Sequence, residues 1–201
     1  EWVPTGGKYG NAIRKEFNIK DDEKLILMAG RINEGKGQHI LVETIPKIIT
    51  KLANVKILFA GRSEGEAETK YFENLKRRVK ELNIENKVIF AGFRKDITAI
   101  MDACDVFVMC SRFETCALVL AEAMSLEKPV IGTKSGGNFE IIKDGVNGIL
   151  VPYNDTDKLS EAIAGILNDK DKAKQMGLQS RKIVEDKFNL NKMADRIVKI
   201  Y

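Results

Sequence analysis

Histidine and cysteine are scarce in this chain of 201 residues, which contains one histidine and three cysteines. The single imidazole, His39, excludes metal sites built from several histidines and leaves little room for a cysteine–histidine nucleophile pair. The cysteines are an odd number without CxxC spacing, so neither a disulfide framework nor a zinc site is indicated. No apolar run reaches the roughly 20 residues that a membrane span requires. An integral membrane protein is therefore excluded.

A strong excess of one charge is also missing, since 33 Lys and Arg face 29 Asp and Glu, with a net charge of +4. Charges of both signs alternate, whereas nucleic-acid-binding proteins concentrate basic residues in a stripe. The densest basic cluster, residues 76–80, has Glu73 and Glu81 beside it and a helical pattern, so we predict a solvated helix face and no nucleic-acid partner. Because no signal-peptide pattern is seen, we expect a cytoplasmic protein, with peripheral attachment to a membrane left open for the full-length protein.

Six short apolar runs alternate with longer amphipathic segments. The runs are apolar on both faces and rich in β-branched residues, which is typical of strands in a parallel sheet. We predict an α/β fold: a Rossmann-like, doubly wound, mainly parallel six-stranded sheet with a C-terminal helical tail. The predicted strands are Leu25–Ala29, Val55–Ala60, Lys87–Ala91, Val106–Met109, Pro129–Gly132 and Ile149–Val151.

The domain organisation follows from the ends of this pattern. Residues 1–22 contain several glycines and Pro4, and are predicted to be a linker from a missing N-terminal domain. Residues 23–201 are predicted to form one domain, and its helical tail covers about 156–201. The tail helices are predicted at Asp157–Asn168, Lys172–Lys187 and Asn191–Ile200.

A glycine-rich loop, Gly30–Gly37, follows the first predicted strand. Its glycines allow a tight turn, the following helix N-terminus favours anions, and Arg31 and Lys36 add two cations. The spacing approaches the GxxxxGK[ST] phosphate-binding loop, but Gly37 stands where that loop has its magnesium-ligating hydroxyl. The pattern predicts a diphosphate site without a metal. The alternative is an ordinary turn with two solvated basic side chains.

Two carboxylates eight positions apart, Glu114 and Glu122, follow the fourth predicted strand. On a continuous helix this spacing gives about 12 Å of rise and about 80° of rotation, so both would share one side. Glu122 lies in an apolar run where an unpartnered carboxylate is costly, and we expect ribose hydroxyls as its partners. Glu114 is expected at the helix entrance, near the other end of the ligand. The alternative is a Glu122 paired with Lys or Arg and a Glu114 that only stabilises the helix N-terminus.

Two further loops at strand ends give weaker signals. Gly136 and Gly137 open a helix after the fifth predicted strand, where they permit close approach of the backbone to a ligand. Arg94 follows the third predicted strand and is a candidate to flank a nucleotide base. A plain turn is the alternative at both places.

Four segments combine these features in chain order: GR-I-x-x-x-K-G at Gly30–Gly37, Glu-x7-Glu at Glu114 and Glu122, AMSLEKPVIGTKSGG at Ala123–Gly137, and DGVNGILVPYND at Asp144–Asp155. Together they resemble the C-terminal, nucleotide-sugar-binding half of retaining GT-B glycosyltransferases, most closely family 4. The resemblance extends from about residue 25 to residue 153.

This resemblance implies transfer of a hexosyl group from a nucleoside-diphosphate sugar to an acceptor hydroxyl, with retention and without a metal or other cofactor. Arg31 and Lys36 would bind the donor diphosphate and stabilise its charge as it leaves. Glu122 would hold the ribose, and Glu114 would face the donor sugar. The implied partners are the nucleotide sugar, the missing N-terminal acceptor domain, and a glycan, lipid or small-molecule acceptor. The isolated chain is expected to be inactive or weakly active.

The segment before the second carboxylate departs from the family pattern. The resemblance assigns phosphate or sugar contacts to the backbone amides of Cys116, Ala117 and Leu118, but Thr115–Ala117 stands here where Gly-Phe-Gly is common. SRFETCAL is also similar to a segment of bacterial glycogen and starch synthases, which generally lack the second Glu. Three alternatives stay open: a non-catalytic nucleotide-sugar-binding module, a P-loop-like NTPase and a GT-B nucleotide-sugar epimerase.

Overall fold

The computed structural model describes residues 8–116, 118–188, 194 and 198. In this part of the chain, six strands alternate with eight α-helices, and two short 3-10 helices lie at Glu34–Lys36 and Glu85–Lys87. The strands are β1 (Lys24–Ala29), β2 (Val55–Ala60), β3 (Val88–Gly92), β4 (Val106–Met109), β5 (Val130–Thr133) and β6 (Gly148–Val151). The helices are α1 (Gly10–Glu16), α2 (Gln38–Lys51), α3 (Gly65–Glu81), α4 (Ile97–Ala103), α5 (Leu118–Ser125), α6 (Asn138–Ile141), α7 (Thr156–Leu167) and α8 (Lys170–Lys187).

The strands form one sheet in the order β3-β2-β1-β4-β5-β6, and every neighbouring pair is parallel. The predicted Rossmann-like, doubly wound six-stranded sheet is thus confirmed. Consecutive strands are added outward from β1 on one side, and the chain then crosses to β4 on the other. Open α/β sheets bind their ligands at this switch point, beyond the carboxyl ends of the strands.

Two hydrophobic cores cover the two faces of the sheet. Side chains alternate along a strand, so Ile26 and Met28 of β1 enter the core beneath α2, α3 and α7. Leu25 and Leu27 enter the core beneath α1, α4, α5 and α6. The continuous apolarity of β1 is therefore explained by burial on both faces. This burial fixes the position of the loop that follows β1, at the carboxyl ends of the strands.

The first helix corrects part of the domain prediction. Residues 8–22 of the predicted linker 1–22 are described, and α1 lies within them. The Gly10 amide donates to Asp102 Oδ2 at 3.0 Å, and a Cβ on Gly10 would lie 2.8 Å from the Ala103 Cα. Gly10 is thus a close-packing residue against α4, and this stretch is a packed helix. The connection to a further domain stays a prediction.

The helical tail is present as α7 and α8. Each helix begins at an aspartate whose side chain accepts a hydrogen bond from the backbone amide three residues later: Asp155 from Lys158 and Asp169 from Lys172, both at 2.9 Å. Such caps satisfy amides that a helix start leaves unpaired. The third predicted tail helix, Asn191–Ile200, lies outside the described residues apart from positions 194 and 198.

Candidate functional site

Two adjoining cavities open at the carboxyl ends of the strands near the switch point. The inner cavity, about 210 Å³, lies between the loops that follow β1 and β4. The outer cavity, about 330 Å³, lies at the ends of β1, β2 and β3 and the start of α4. Gly30, Arg31 and Val119 line both cavities, so one elongated ligand can occupy them together. We call the two cavities the crevice.

Lys36 and Glu114, which lie on different loops, meet in the inner cavity. Lys36 Nζ donates to Glu114 Oε2 at 2.7 Å, and Ser111 Oγ donates to the same oxygen at 3.3 Å. Glu114 is 8% exposed, so the ammonium compensates its charge more than water does. The Asn33 side-chain oxygen accepts from the Lys36 amide at 3.1 Å, which fixes the turn that presents the ammonium.

Glu114 and Glu122 do not lie on one helix, contrary to the prediction from their spacing. Helix α5 begins at Leu118, four residues after Glu114. The chain at Glu114 is held in a loop because its carbonyl accepts from the Gly137 amide at 2.7 Å. The predicted sharing of one helix side is therefore wrong, although both carboxylates belong to the segment after β4.

Gly136 and Gly137 approach the protein's own backbone. A Cβ on Gly136, which has a φ of +43°, would lie 2.0 Å from the Glu114 carbonyl oxygen, and one on Gly137 would lie 2.6 Å from the Thr115 carbonyl oxygen. The glycine pair thus seats the Glu114 loop against the loop after β5. The pair thus has a positioning role within the chain, and its direct approach to a ligand stays a prediction.

Gly37 is fixed by the same kind of contact. It has a φ of +76°, and a Cβ there would lie 2.2 Å from the Cys110 carbonyl oxygen. The Arg112 amide also donates to the Gly35 carbonyl at 2.9 Å, so the two loops are docked together. A serine or threonine at position 37 has no room in this arrangement, which disfavours the P-loop NTPase alternative.

Arg31 lies at the boundary between the two cavities with a largely free side chain. Its side chain is 59% exposed, and its ion pair with Glu68 has an N–O distance of 3.9 Å. Such exposed pairs contribute about 0–1 kcal/mol. Its backbone is better fixed, because Gln38 Nε2 donates to the Arg31 carbonyl at 2.8 Å. The guanidinium is therefore available to an anion in the crevice.

Glu122 lies on α5, one helical turn beyond the crevice-lining residue Val119. Its side chain is half-buried, and desolvation raises the pKa of its carboxyl. Among the described residues, its carboxylate makes no hydrogen bond or ion pair, so the alternative of a Lys or Arg partner is not found there. An unpartnered, partly desolvated carboxylate favours a ligand donor such as a hydroxyl.

Arg94 differs from Arg31 because its guanidinium is already engaged. It lines the outer cavity, but Nη2 donates to Glu16 at 2.9 Å and to Asp96 at 2.7 Å, and Nε donates to Asp96 at 2.8 Å. Its side chain is only 20% exposed. Arg94 therefore holds α1 to the loop after β3, and its place beside a base stays a prediction.

The predicted amide contacts fall on the start of α5. Cys116 and Leu118 line the inner cavity, but the Leu118 amide donates to the Cys116 carbonyl at 2.9 Å. That amide is therefore engaged within the chain. Ala117 lies outside the described residues.

Two residues that line the crevice, Phe93 and Ser111, were not predicted as site residues from the sequence. Phe93, 60% exposed, lines the outer cavity, and the Arg62 guanidinium lies 5.1 Å from its ring centroid. Phe93 could have been found from the sequence, because it directly follows Gly92, the glycine that ends β3. Ser111 is fully buried and supports Glu114; a lone serine at a strand end carries little sequence signal.

The described residues show neither a metal-binding cluster nor a membrane-spanning helix. They contain no group of three or more His, Cys, Asp or Glu arranged to hold a metal ion. In the same residues, no helix combines the length and apolarity that crossing a membrane requires.

A family model described as glycosyl transferases group 1 matches residues 11–183. Spore coat protein SA of Bacillus subtilis (strain 168) is 30% identical over 211 residues, which cover 100% of this chain and 54% of that protein. N-acetyl-alpha-D-glucosaminyl L-malate synthase of Bacillus anthracis is 29% identical over 189 residues, 94% of this chain and 48% of that protein. The resemblance drawn from the four sequence segments is thus confirmed.

A solved structure extends the match to three dimensions. The crystal structure of Anabaena Alr3699/HepE in complex with UDP and glucose superposes with a TM-score of 0.91 at 26% identity. The match covers 99% of this chain and 53% of the Anabaena chain. The chain thus spans about half the length of the curated relatives it matches.

Proposed function

This chain belongs to the glycosyl transferases group 1 family, and from that premise we propose that it binds the sugar donor of a glycosyltransferase. The donor is a nucleoside-diphosphate sugar, and the reaction transfers its hexosyl group to a hydroxyl of a glycan, lipid or small molecule. Because the chain spans about half of its relatives, the acceptor site is assigned to a further domain, and the chain alone is expected to be inactive or weakly active.

The observation that carries this proposal is the pair of cations in the crevice. Lys36 lines the inner cavity, and Arg31, whose side chain is exposed, lines both cavities. Two cations beside a glycine loop at a strand end suit a diphosphate. They also stabilise the charge that develops on the leaving diphosphate. The reaction is accordingly proposed to need no metal, and to retain the anomeric configuration as in the resemblance above.

The outer cavity is proposed to hold the nucleoside. Phe93 offers an exposed ring to a base, and aromatic stacking tolerates several bases. Glu122 is proposed to accept hydrogen bonds from the ribose hydroxyls, which would supply the partners that its carboxylate lacks among the described residues. The complex of the Anabaena structure with UDP and glucose supports a uridine nucleotide as the first ligand to test.

Calorimetric titration without metal tests this function. Wild-type protein is titrated with UDP, GDP and ADP, and then Arg31→Ala and Glu122→Ala are compared with the matched exposed control Arg77→Ala. We expect saturable binding of one nucleotide, weakened at least about tenfold, or about 1.4 kcal/mol, in both Arg31→Ala and Glu122→Ala. The control should bind as the wild type does.

Absence of binding to all three nucleotides by folded wild-type protein would contradict the proposal. Wild-type affinity in Arg31→Ala would instead place the nucleotide outside the crevice.

A further inference from the structure

The Lys36–Glu114 ion pair affects which diphosphates bind in the crevice. Both side chains line the inner cavity, and the carboxylate lies 2.7 Å from the ammonium. We propose that Glu114 discriminates against a free nucleoside diphosphate in favour of one whose terminal phosphate is esterified, because carboxylate and phosphate share the Lys36 ammonium. This inference rests on the proposed function and identifies how the same site separates donor from product.

The carboxylate cannot withdraw easily from this contact. Its side chain is 10% exposed, Ser111 Oγ lies 3.3 Å from its Oε2, and the Gly137 amide fixes its backbone carbonyl at 2.7 Å. A phosphate oxygen at about 3 Å from Lys36 Nζ would therefore lie within about 6 Å of Glu114 Oε2, given the 2.7 Å ion pair. Two anions and one ammonium then occupy a partly desolvated site.

The two diphosphates differ in charge. Each phosphate of a nucleotide sugar carries one negative charge, whereas the terminal phosphate of a free diphosphate loses a second proton with a pKa of about 6. At pH 8 the free diphosphate thus presents one more negative charge to the Glu114 carboxylate. Repulsion between partly buried like charges is several times stronger than in water, so Glu114 penalises the free diphosphate more than the ester.

This difference assists turnover. When the bond between sugar C1 and the terminal phosphate oxygen breaks, that oxygen keeps the electron pair, while the acceptor oxygen bonds to C1 and its proton passes to the solvent at pH 8. The added charge then faces Glu114 and weakens retention of the product. Arg31, whose nearest carboxylate contact is 3.9 Å, stays free to stabilise the leaving charge.

The test compares two ligands that differ in this charge. UDP and UDP methylated on its terminal phosphate are titrated calorimetrically at pH 8 without metal into wild type, Glu114→Gln and the charge-matched control Glu43→Gln. Glu43 pairs with Arg78 and does not line the crevice. If the wild type binds GDP or ADP instead, the same pair of ligands is used with that base.

We expect the wild type and Glu43→Gln to bind the methyl ester about fivefold more tightly than the free diphosphate. In Glu114→Gln this preference should vanish or reverse through tighter binding of the free diphosphate. The wild-type comparison alone keeps the inference testable if Glu114→Gln does not fold.

Three results would overturn the inference. If the wild type binds the free diphosphate as tightly as the ester, or if Glu114→Gln keeps the wild-type preference, the inference fails while the proposed function stands. If folded wild-type protein binds neither the free diphosphate nor its methyl ester with any of the three bases, the inference and the proposed function fail together.

Discussion

At the scale of single residues, the charges in and next to the crevice differ in how firmly the protein holds them. Lys36 and Glu114 are paired with each other, and the Arg94 guanidinium is engaged by two carboxylates. Arg31 has only an exposed pair at 3.9 Å, and Glu122 makes no polar contact through its carboxylate among the described residues. The two carboxylates around Arg94 hold that guanidinium in place, whereas Arg31 and Glu122 are available to a ligand. Lys36 would be shared between Glu114 and a bound phosphate.

A conservative change at Glu122 tests that distinction through pH. Burial raises the pKa of Glu122 above its ordinary value of 4.5, so the folded chain binds this proton more tightly than the unfolded chain. The free energy of unfolding therefore gains from this carboxyl as the pH falls through the range between its pKa values in the unfolded and folded chain. Above that range, the buried charge lowers the free energy of unfolding. We expect Glu122→Gln to have an equal or higher free energy of unfolding at pH 7, with the gain lost on acidification.

Urea denaturation of wild type and Glu122→Gln across pH 4–7 (about the range of carboxyl titration) measures the difference. The comparison cancels the other acidic groups, and nucleotide affinity should fall in the same variant. A variant clearly less stable than wild type at pH 7 would mean that Glu122 has a structural partner.

At the scale of elements, glycines lock the strand-end loops together. Gly37 seats the loop after β1 on the backbone at the end of β4, and Gly136 seats the loop after β5 on Glu114. Each contact needs both a positive φ and the absence of a Cβ. The loops that form the inner cavity are therefore positioned by backbone contacts among themselves.

The glycine at position 136 can be compared with one in an open setting. Gly136→Ala should lower the free energy of unfolding by more than about 1 kcal/mol and weaken nucleotide binding, because its Cβ meets the Glu114 carbonyl oxygen at 2.0 Å. Gly165 lies in α7 with no atom within 4 Å of an added Cβ. Gly165→Ala should raise stability by about 0.5–1 kcal/mol and leave binding unchanged.

Chemical denaturation and titration of both variants provide the two readouts. Wild-type stability and affinity in Gly136→Ala would show that the loop does not need this contact.

At the scale of the whole molecule, the sheet was predictable because burial on both faces leaves a continuous apolar run in each strand. The start of α3 was not predictable, because Gly65–Lys70 contains few apolar residues and is largely exposed to solvent. The engagement of the Arg94 guanidinium could not be predicted either, because it depends in part on Glu16, which is 78 positions away in the sequence.

The central claim is that the crevice holds a nucleoside diphosphate, and a crystal structure of this chain with the nucleotide identified by titration, grown without metal, tests it most directly. We predict phosphate oxygens at about 3 Å from Lys36 Nζ and the Arg31 guanidinium, the ribose beside Glu122 and the base at Phe93. A nucleotide bound instead in the groove of about 430 Å³ between α2 and α3, which Glu34, His39 and Tyr71 line, would contradict it.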